Sequence, residues 1–249
     1  MNLIEKLSTN LEDYSSCPFW SWNNELSSEE LTSQLEHMKS QGIDSAVIHA
    51  RTGLVTEYLS EKWFSLIGDC LKKAKELDMR LWVYDENGWP SGFAEGRLLK
   101  DDFFAQYIEY KVTNHFDESA SAVYEIVNNV AKRIFLGEKT TEYHCVYIKD
   151  STNYADILNP NLTEAFINLT HEEYYKRFED SFGKELVGFF TDEPQYFRYA
   201  TPFSKVLPNA FKKEYGVDVF EGLVYLFQDN DAAYEFKHRY YSLLNKMYT

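Results

Sequence analysis

The sequence predicts an α/β fold, a partial (β/α)8 barrel with about four parallel strands, an antiparallel β insertion and C-terminal helices. Three observations predict it. Between residues 17 and 100, short apolar runs alternate with amphipathic helical stretches across short loops, the rhythm of parallel strands joined by right-handed crossovers. Each strand-like run is nearly continuous in apolar residues, as strands covered on both faces are. Each run also ends in a polar cluster, where α/β folds gather their reactive groups.

The elements follow in order. Pro18-Phe-Trp-Ser-Trp22 reads as a first strand with Asn23-Asn24 at its tip. Ser27-Ser-Glu-Glu30 is a capping box, and Leu31, Leu35 and Met38 continue a helix that Gly42 closes. Ile43 to His49 is a second strand. Ser60 caps a helix whose one face carries Trp63, Phe64, Ile67, Leu71, Ala74 and Leu77. Met79 to Tyr84 is a third strand, ending in Asp85-Glu86-Asn87-Gly88-Trp89-Pro90. Residues 105–150 change period. Ile108, Tyr110 and Val112 alternate with polar residues, and Val123–Val130, Lys132–Leu136 and Tyr143–Ile148 read as extended, which predicts an antiparallel hairpin or small sheet. The α/β rhythm resumes at Asn159-Pro160 with a helix through Leu162, Phe166, Leu169 and Phe178, stopped by Gly183. Leu186 to Phe190 is a fourth strand, tipped by Thr191-Asp192-Glu193-Pro194. Only helix signals follow, over 210–215, 219–227 and 234–247. Residues 1–249 are expected to form one (β/α) domain, an incomplete barrel with 105–150 inserted.

Composition narrows the function classes. Lys and Arg number 25 against 40 Asp and Glu, a formal charge of −15, which repels phosphate backbones and anionic lipid. Neither nucleic acid nor a membrane is expected as partner. No apolar run approaches the roughly 20 residues of a membrane span. The first ten residues carry Glu5 and Lys6 and no apolar stretch, so no secretory leader is expected. Cys17, Cys70 and Cys145 are widely spaced and odd in number, which argues for a reduced, cytoplasmic setting and against a disulfide or zinc framework. Asn161-Leu-Thr and Asn168-Leu-Thr match the glycosylation pattern by chance on that reading.

The strand tips hold the candidate chemistry: Asn23, His49 and Arg51, Asp85 and Glu86 with Trp89, and Asp192 with Glu193. Paired carboxylates can protonate a glycosidic oxygen and activate water or attack carbon. Tryptophan rings stack on sugars, and Asn, His and Arg bind hydroxyls. Glu193 follows an apolar run that would lend it low dielectric and raise its pKa, which makes it the candidate general acid. The competing reading is a solvent-facing carboxylate. Asp85-Glu86-Asn87-Gly88 is equally good turn sequence, Trp89 is as readily core as platform, and His49 at a strand end is more often structural than catalytic. Trp20 and Trp22 share one side of their strand, with core packing favoured for at least one. His37, His115, His144, His171 and His238 receive no chemistry. The Ser91-Gly92 turn lacks a partnered histidine, which disfavours a serine hydrolase.

Phe19-Trp-Ser-Trp-Asn23, His49-Ala-Arg-Thr-Gly-Leu54, Thr56-Glu-Tyr-Leu-Ser60, Tyr84-Asp-Glu-Asn-Gly-Trp-Pro-Ser-Gly92 and Phe190-Thr-Asp-Glu-Pro194 resemble the N-terminal catalytic region of bacterial glycoside hydrolases related to glycoside hydrolase family 106, the α-L-rhamnosidase-like group. The resemblance runs from about Cys17 to at least Tyr215. It implies a barrel acting on polysaccharide, with Glu193 as a catalytic carboxylate and His49, Arg51, Asp85, Glu86 and Trp89 along the sugar subsite. It also implies a calcium ion near the sugar, with no ligands assigned. Members of the group are several times longer, and their second carboxylate would sit on strands beyond the four read here. A homodimer or a missing C-terminal half would complete the barrel. Two rivals stand beside the glycosidase: a non-catalytic carbohydrate-binding or regulatory half-barrel, and a metal-dependent phosphoesterase-like enzyme using Asp85 and Asp192.

Overall fold

The computed structural model of the chain describes residues 3–5, 15–99, 103–196 and 200–249. The sequence reading of a leader-free N-terminus falls largely on residues outside that set. The chain divides into two compact units. One comprises residues 1–97 and 164–194, the other residues 98–163 and 195–249.

The first unit is built on a four-stranded parallel sheet. Its strands are β1 (Phe19–Trp22), β2 (Ser45–Ala50), β3 (Arg80–Tyr84) and β8 (Leu186–Phe190), adjacent in that order. Helix α1 (Ser28–Ser40) links β1 to β2, and α2 (Glu61–Leu77) links β2 to β3. The expected caps form: Ser27 Oγ accepts the Glu30 N–H at 3.3 Å, and Ser60 Oγ accepts the Trp63 N–H at 3.2 Å. Helix α2 ends on Asp78 in the left-handed region. The helical stretch before β8 is two helices, α3 (Pro160–Leu169) and α4 (His171–Phe178), where the apolar spacing predicts one. Thr170 interrupts it with non-helical angles.

The two sheet faces differ. Ala46, Ile48, Ala50, Leu81, Val83 and Leu186 join Leu31, Leu35, Trp63, Phe64, Ile67 and Leu71 in one buried core. Strand alternation sends Phe19, His49 and Tyr84 to the opposite face, and a register shift between Leu81 and Trp82 brings Phe190 there beside Tyr84, where their rings touch one another. Trp20 and Trp22 both lie in the helix-side core, edge to face at 5.2 Å, and Trp22 continues onto Trp63 at 5.0 Å.

The second unit carries a five-stranded antiparallel sheet in the order β6-β5-β7-β4-β9. These strands are β4 (Phe104–Thr113), β5 (Ala122–Val127), β6 (Val130–Ile134), β7 (Tyr143–Ala155) and β9 (Thr201–Phe203). Asn128 and Asn129, both at positive φ (51° and 65°), make a two-residue hairpin turn. That turn divides the segment 123–130, which the sequence reads as continuously extended. One sheet face packs on α5 (Leu207–Tyr215) and α6 (Asp231–Tyr248) through Ile108, Tyr124, Val146, Phe203, Phe211, Tyr240 and Leu244.

Two readings of the C-terminal region are corrected. Helix signals alone were expected after residue 194, yet Thr201–Phe203 pairs antiparallel with β4. It is only three residues long and contains Pro202, which sequence rules exclude from central strands but tolerate at an edge. The segment 219–227 forms two 3-10 turns, Val219–Glu221 and Leu223–Phe227, separated by Gly222, in place of a helix.

Asp156, just past β7, is buried in this unit. Its Oδ2 accepts the Ser204 hydroxyl at 2.6 Å and its Oδ1 the Leu158 N–H at 3.3 Å. Burial pushes its carboxyl up to about 6 despite these bonds.

Candidate functional site

Sheet register brings the strand tips together. Trp22 pairs with Ala50, Ile48 with Val83 and Tyr84 with Phe190, so Asn23, Arg51, Asp85 and Thr191 follow at one edge of neighbouring strands. The sequence-predicted residues thus share the C-terminal edge of the parallel sheet, but they do not share a role.

Asp85 is fully buried. Its Oδ1 accepts the Ser91 hydroxyl at 2.7 Å and its Oδ2 the Thr191 hydroxyl at 2.5 Å, while His171 Nε2 stands 3.4 Å from Oδ2. Glu86 is also fully buried. Its carboxylate accepts five backbone N–H groups, those of Asn87, Gly92, Phe93, Ala94 and Glu95. The loop closes around it through left-handed residues, Gly92 at φ 129°, Ala94 at 49° and Glu95 at 58°. Successive amides then point inward and make an anion nest. Burial pushes the Glu86 carboxyl up and the amides pull it back. A protonated carboxyl would need an acceptor, and every neighbour here is a donor, so the nest requires the carboxylate. The sequence assigns catalytic work to Asp85 and Glu86. With no exposed surface, Glu86 instead holds the loop that carries Trp89, and Asp85 ties that loop, through Ser91, to Thr191.

Asp192 is different. Its Oδ2 accepts the Tyr84 hydroxyl at 2.9 Å. Its N–H donates to Ser91 Oγ at 3.0 Å, and its carbonyl accepts the Ser91 N–H at 2.9 Å. The side chain is half-buried, and its Oδ1 has no protein partner among the described residues. Burial first, and Asp192 second, push the Tyr84 hydroxyl above its ordinary range, so it stays a donor.

Glu193 is exposed, so the apolar run before it does not bury the carboxylate as the sequence reasoning expects. Its backbone is unusual: φ is +44° in a residue that precedes a proline. Both the β-carbon and the following ring disfavour that region. Such outliers concentrate at functional sites.

His49 is 5% exposed and stacked on Tyr84, ring centroids 3.7 Å apart. Its Nε2 is covered and has no hydrogen-bond partner among the described residues. Burial and the nearby Arg51 charge lower it to about 4, against the pull of Asp192, so the ring is neutral. Arg51 and Asn23 are exposed at the edge. Trp89 is 44% exposed. A tight contact shapes the β2 tip: Gly53, at φ +101°, would place a β-carbon 2.8 Å from the Asn23 carbonyl oxygen.

Sequence reasoning missed four residues of this edge: Tyr84, Ser91, Thr191 and His171. Tyr84 reads as the end of an apolar strand. Ser91 is fully buried and bonds to an aspartate, which removes it as a nucleophile. Thr191 adjoins the Asp-Glu pair and was within reach of a reading that paired strand-tip hydroxyls with carboxylates. Nothing local marks His171.

Among the described residues, no group of three or more His, Cys, Asp or Glu side chains is placed to hold a metal ion. Asp85 and Glu86 have no exposed surface and already accept protein donors, so these two residues do not fit the calcium site that the resemblance implies. The phosphoesterase rival would need Asp85 oxygens that here accept the Ser91 and Thr191 hydroxyls. Among the described residues, no helix is long and apolar enough to cross a membrane.

No family model matches the chain, and no curated protein matches it. Its fold does match a solved one. The rhamnosidase from Novosphingobium sp. PP1Y superposes with a TM-score of 0.59 at 9% sequence identity, covering 100% of this chain. The chain spans 45% of that enzyme's length. The architecture described above, a parallel four-stranded sheet and an antiparallel five-stranded one, is therefore similar to part of a rhamnosidase fold.

Proposed function

We propose that the C-terminal edge of the parallel sheet is a carbohydrate site of glycoside hydrolase type, on strands corresponding to the first half of a (β/α)8 barrel. One observation carries the reading. Tyr84 donates to the Asp192 carboxylate and Ser91 holds the Asp192 backbone, yet Asp192 Oδ1 has no hydrogen-bond partner among the described residues. A carboxylate fixed in advance with a spare acceptor suits a sugar hydroxyl, since its orientation costs nothing on binding. Asn23 and Arg51 add exposed hydroxyl-binding groups at the same edge, and Trp89 adds an exposed ring. Glu193 is the proposed general acid, a role supported by its reachable carboxylate on a constrained backbone at the β8 tip. His49 is proposed as a neutral prop beneath Tyr84, without direct contact to the sugar. The fold shared with a rhamnosidase is consistent with this class of ligand.

A second reading is favoured by the fate of Asp85 and Glu86. With both committed to the scaffold, the reachable carboxylates named at this edge are Asp192 and Glu193, neighbours on one tip. A hydrolase needs two carboxylates flanking the scissile bond. A binding protein that lacks turnover needs only the fixed Asp192 and its neighbours.

One experiment separates the two. Purified chain is assayed on a panel of aryl glycosides, α-L-rhamnoside included, with Glu193→Gln as control. Turnover that disappears in the control supports the hydrolase. Silence across the panel, with free sugars raising the melting temperature of wild type but not of Asp192→Ala, supports the binding protein. Neither turnover nor a sugar-dependent shift would overturn the site.

A further inference from the structure

We infer that Asn87 is a self-modification site: the backbone nitrogen of Gly88 displaces its side-chain amide, and the product loosens the loop that carries Trp89. Of the chain's asparagines, only Asn87 is followed by glycine. The reaction joins two groups already held side by side by the chain, which gives it the advantage of an intramolecular step. The Gly88 nitrogen attacks the Asn87 side-chain carbonyl carbon. A new N–C bond forms, the bond from that carbon to the side-chain nitrogen breaks, and the nitrogen leaves as ammonia with the proton that Gly88 gives up. Water then opens the cyclic imide at either carbonyl. One opening leaves aspartate, the other its isomer, in which the main chain runs through the side-chain carbon.

The structure leaves the attacking group available. The Gly88 N–H makes no hydrogen bond among the described residues. Gly88 sits at φ 122°, and a β-carbon there would meet no atom within 4 Å. Both residues are half-buried, which leaves water access. Asn87 Nδ2 donates to Glu95 Oε1 at 2.6 Å. Turning the side chain toward Gly88 costs that one solvent-exposed hydrogen bond, a modest net loss. Other asparagines at turns and caps lack these features. Asn159 precedes a proline, which has no N–H to give up, and Asn230 Oδ1 is held by the Ala233 N–H at 3.0 Å.

The surroundings of residue 87 give the product its effect. The Asn87 N–H is one of the five amides bound to Glu86, and the Asn87 side chain bonds Glu95, whose own N–H is another of the five. Conversion replaces a donor with a carboxylate facing Glu95 Oε1, so two anions meet where a hydrogen bond stood, beside the buried Glu86 charge. Arg97, 3.7 Å from Glu95 Oε2, already bonds the Tyr58 carbonyl. The isomer also adds a carbon to the main chain within the nest. Trp89 lies between the two anchors of this loop, at Asn87 and at Gly92 to Glu95. The inference does not depend on which ligand the edge takes.

The test uses the full chain without ligand. Wild type is incubated in mildly alkaline buffer made with water enriched in heavy oxygen, then digested and read by mass spectrometry. Residue 87 should take up the label, as aspartate and as its isomer, at a rate within about tenfold of the urea-unfolded chain. A slower native rate would mean that the fold shields the amide, and would overturn the site. Asn87→Asp presents one product directly. Amide exchange at Ala94 and Glu95 should then accelerate at least tenfold while Ile48 and Val83, inside the sheet, keep their protection. Unchanged exchange at Ala94 and Glu95 would overturn the loosening. Should the variant fail to fold, the same exchange is read on wild type before and after incubation.

Discussion

Thr191 Oγ1 lies 2.5 Å from Asp85 Oδ2, a bond between residues 106 positions apart that ties the tip of β8 to the tip of β3. Asp85→Asn would present an amide N–H₂ or a single carbonyl to donors that now share two oxygens. Breaking a buried charged network of this kind costs on the order of 3 kcal/mol. Thr191→Val removes one hydroxyl and should cost about 1 kcal/mol. Urea unfolding of both singles and the double should show less loss in the double than the sum, because the two changes cut one bond.

Glu86 fills an anion nest with its own side chain, so the nest can be emptied and refilled. Glu86→Ala removes the acceptor of five backbone amides, two of them in buried bonds, and should lower stability by about 3 kcal/mol or more. Formate or acetate should bind the vacated nest and raise the melting temperature of the variant. Wild type, whose nest is occupied, should show no gain over chloride at equal ionic strength. A variant indifferent to carboxylates would mean that the loop collapses once the side chain is gone.

His49 gives the first unit a pH dependence of known sign. Its ring titrates at about 4 when folded and near 6.5 when unfolded. The contribution is whole above pH 6.5 and drains away as pH falls toward 4, because only the unfolded chain takes up the proton. His49→Phe keeps a ring against Tyr84 and deletes the titration. Its stability relative to wild type should therefore improve steadily from pH 7 to 4.5.

Asp156 gives the second unit the opposite dependence. Its carboxyl titrates at about 6 when folded and near 3.9 when unfolded. Stability from this group is present below pH 3.9 and is lost as pH rises through 6, by up to about 3 kcal/mol. Asp156→Asn should flatten that slope, measured as the difference between variant and wild type at pH 4.5 and 7. An unchanged difference would show that the carboxylate is better solvated than its burial indicates.

Much of the first unit was legible because its rules are local. Continuous apolar runs marked all four parallel strands, and Ser27 and Ser60 marked helix starts, each within a residue or two. The antiparallel sheet was legible in kind but not in detail, since Asn128-Asn129 sits inside an otherwise extended run and β9 is too short to announce itself. At the edge, sequence position found which residues lie at the strand tips. It did not find which of them are reachable. That distinction comes from tertiary partners: the hydroxyls of Ser91 and Thr191 bond Asp85, and a loop with left-handed residues encloses Glu86. Tyr84 and Asp192 are similarly joined across 108 positions, which no local pattern records.

The strand order also sets a folding order. β1, β2 and β3 are neighbours in space and close in sequence, each pair joined by one helix. β8 reaches β3 only after the chain has travelled through the other unit, and closing so long a loop costs entropy before any contact repays it. The first three strands can therefore assemble early while β8 docks late, and in the native ensemble β8 is the strand whose amides exchange ahead of those of β2. Asp192 and Glu193 ride on that last strand. The edge becomes complete only when the rest of the unit is already in place, so a nascent or partly opened chain carries the scaffold of the site without its reachable carboxylates.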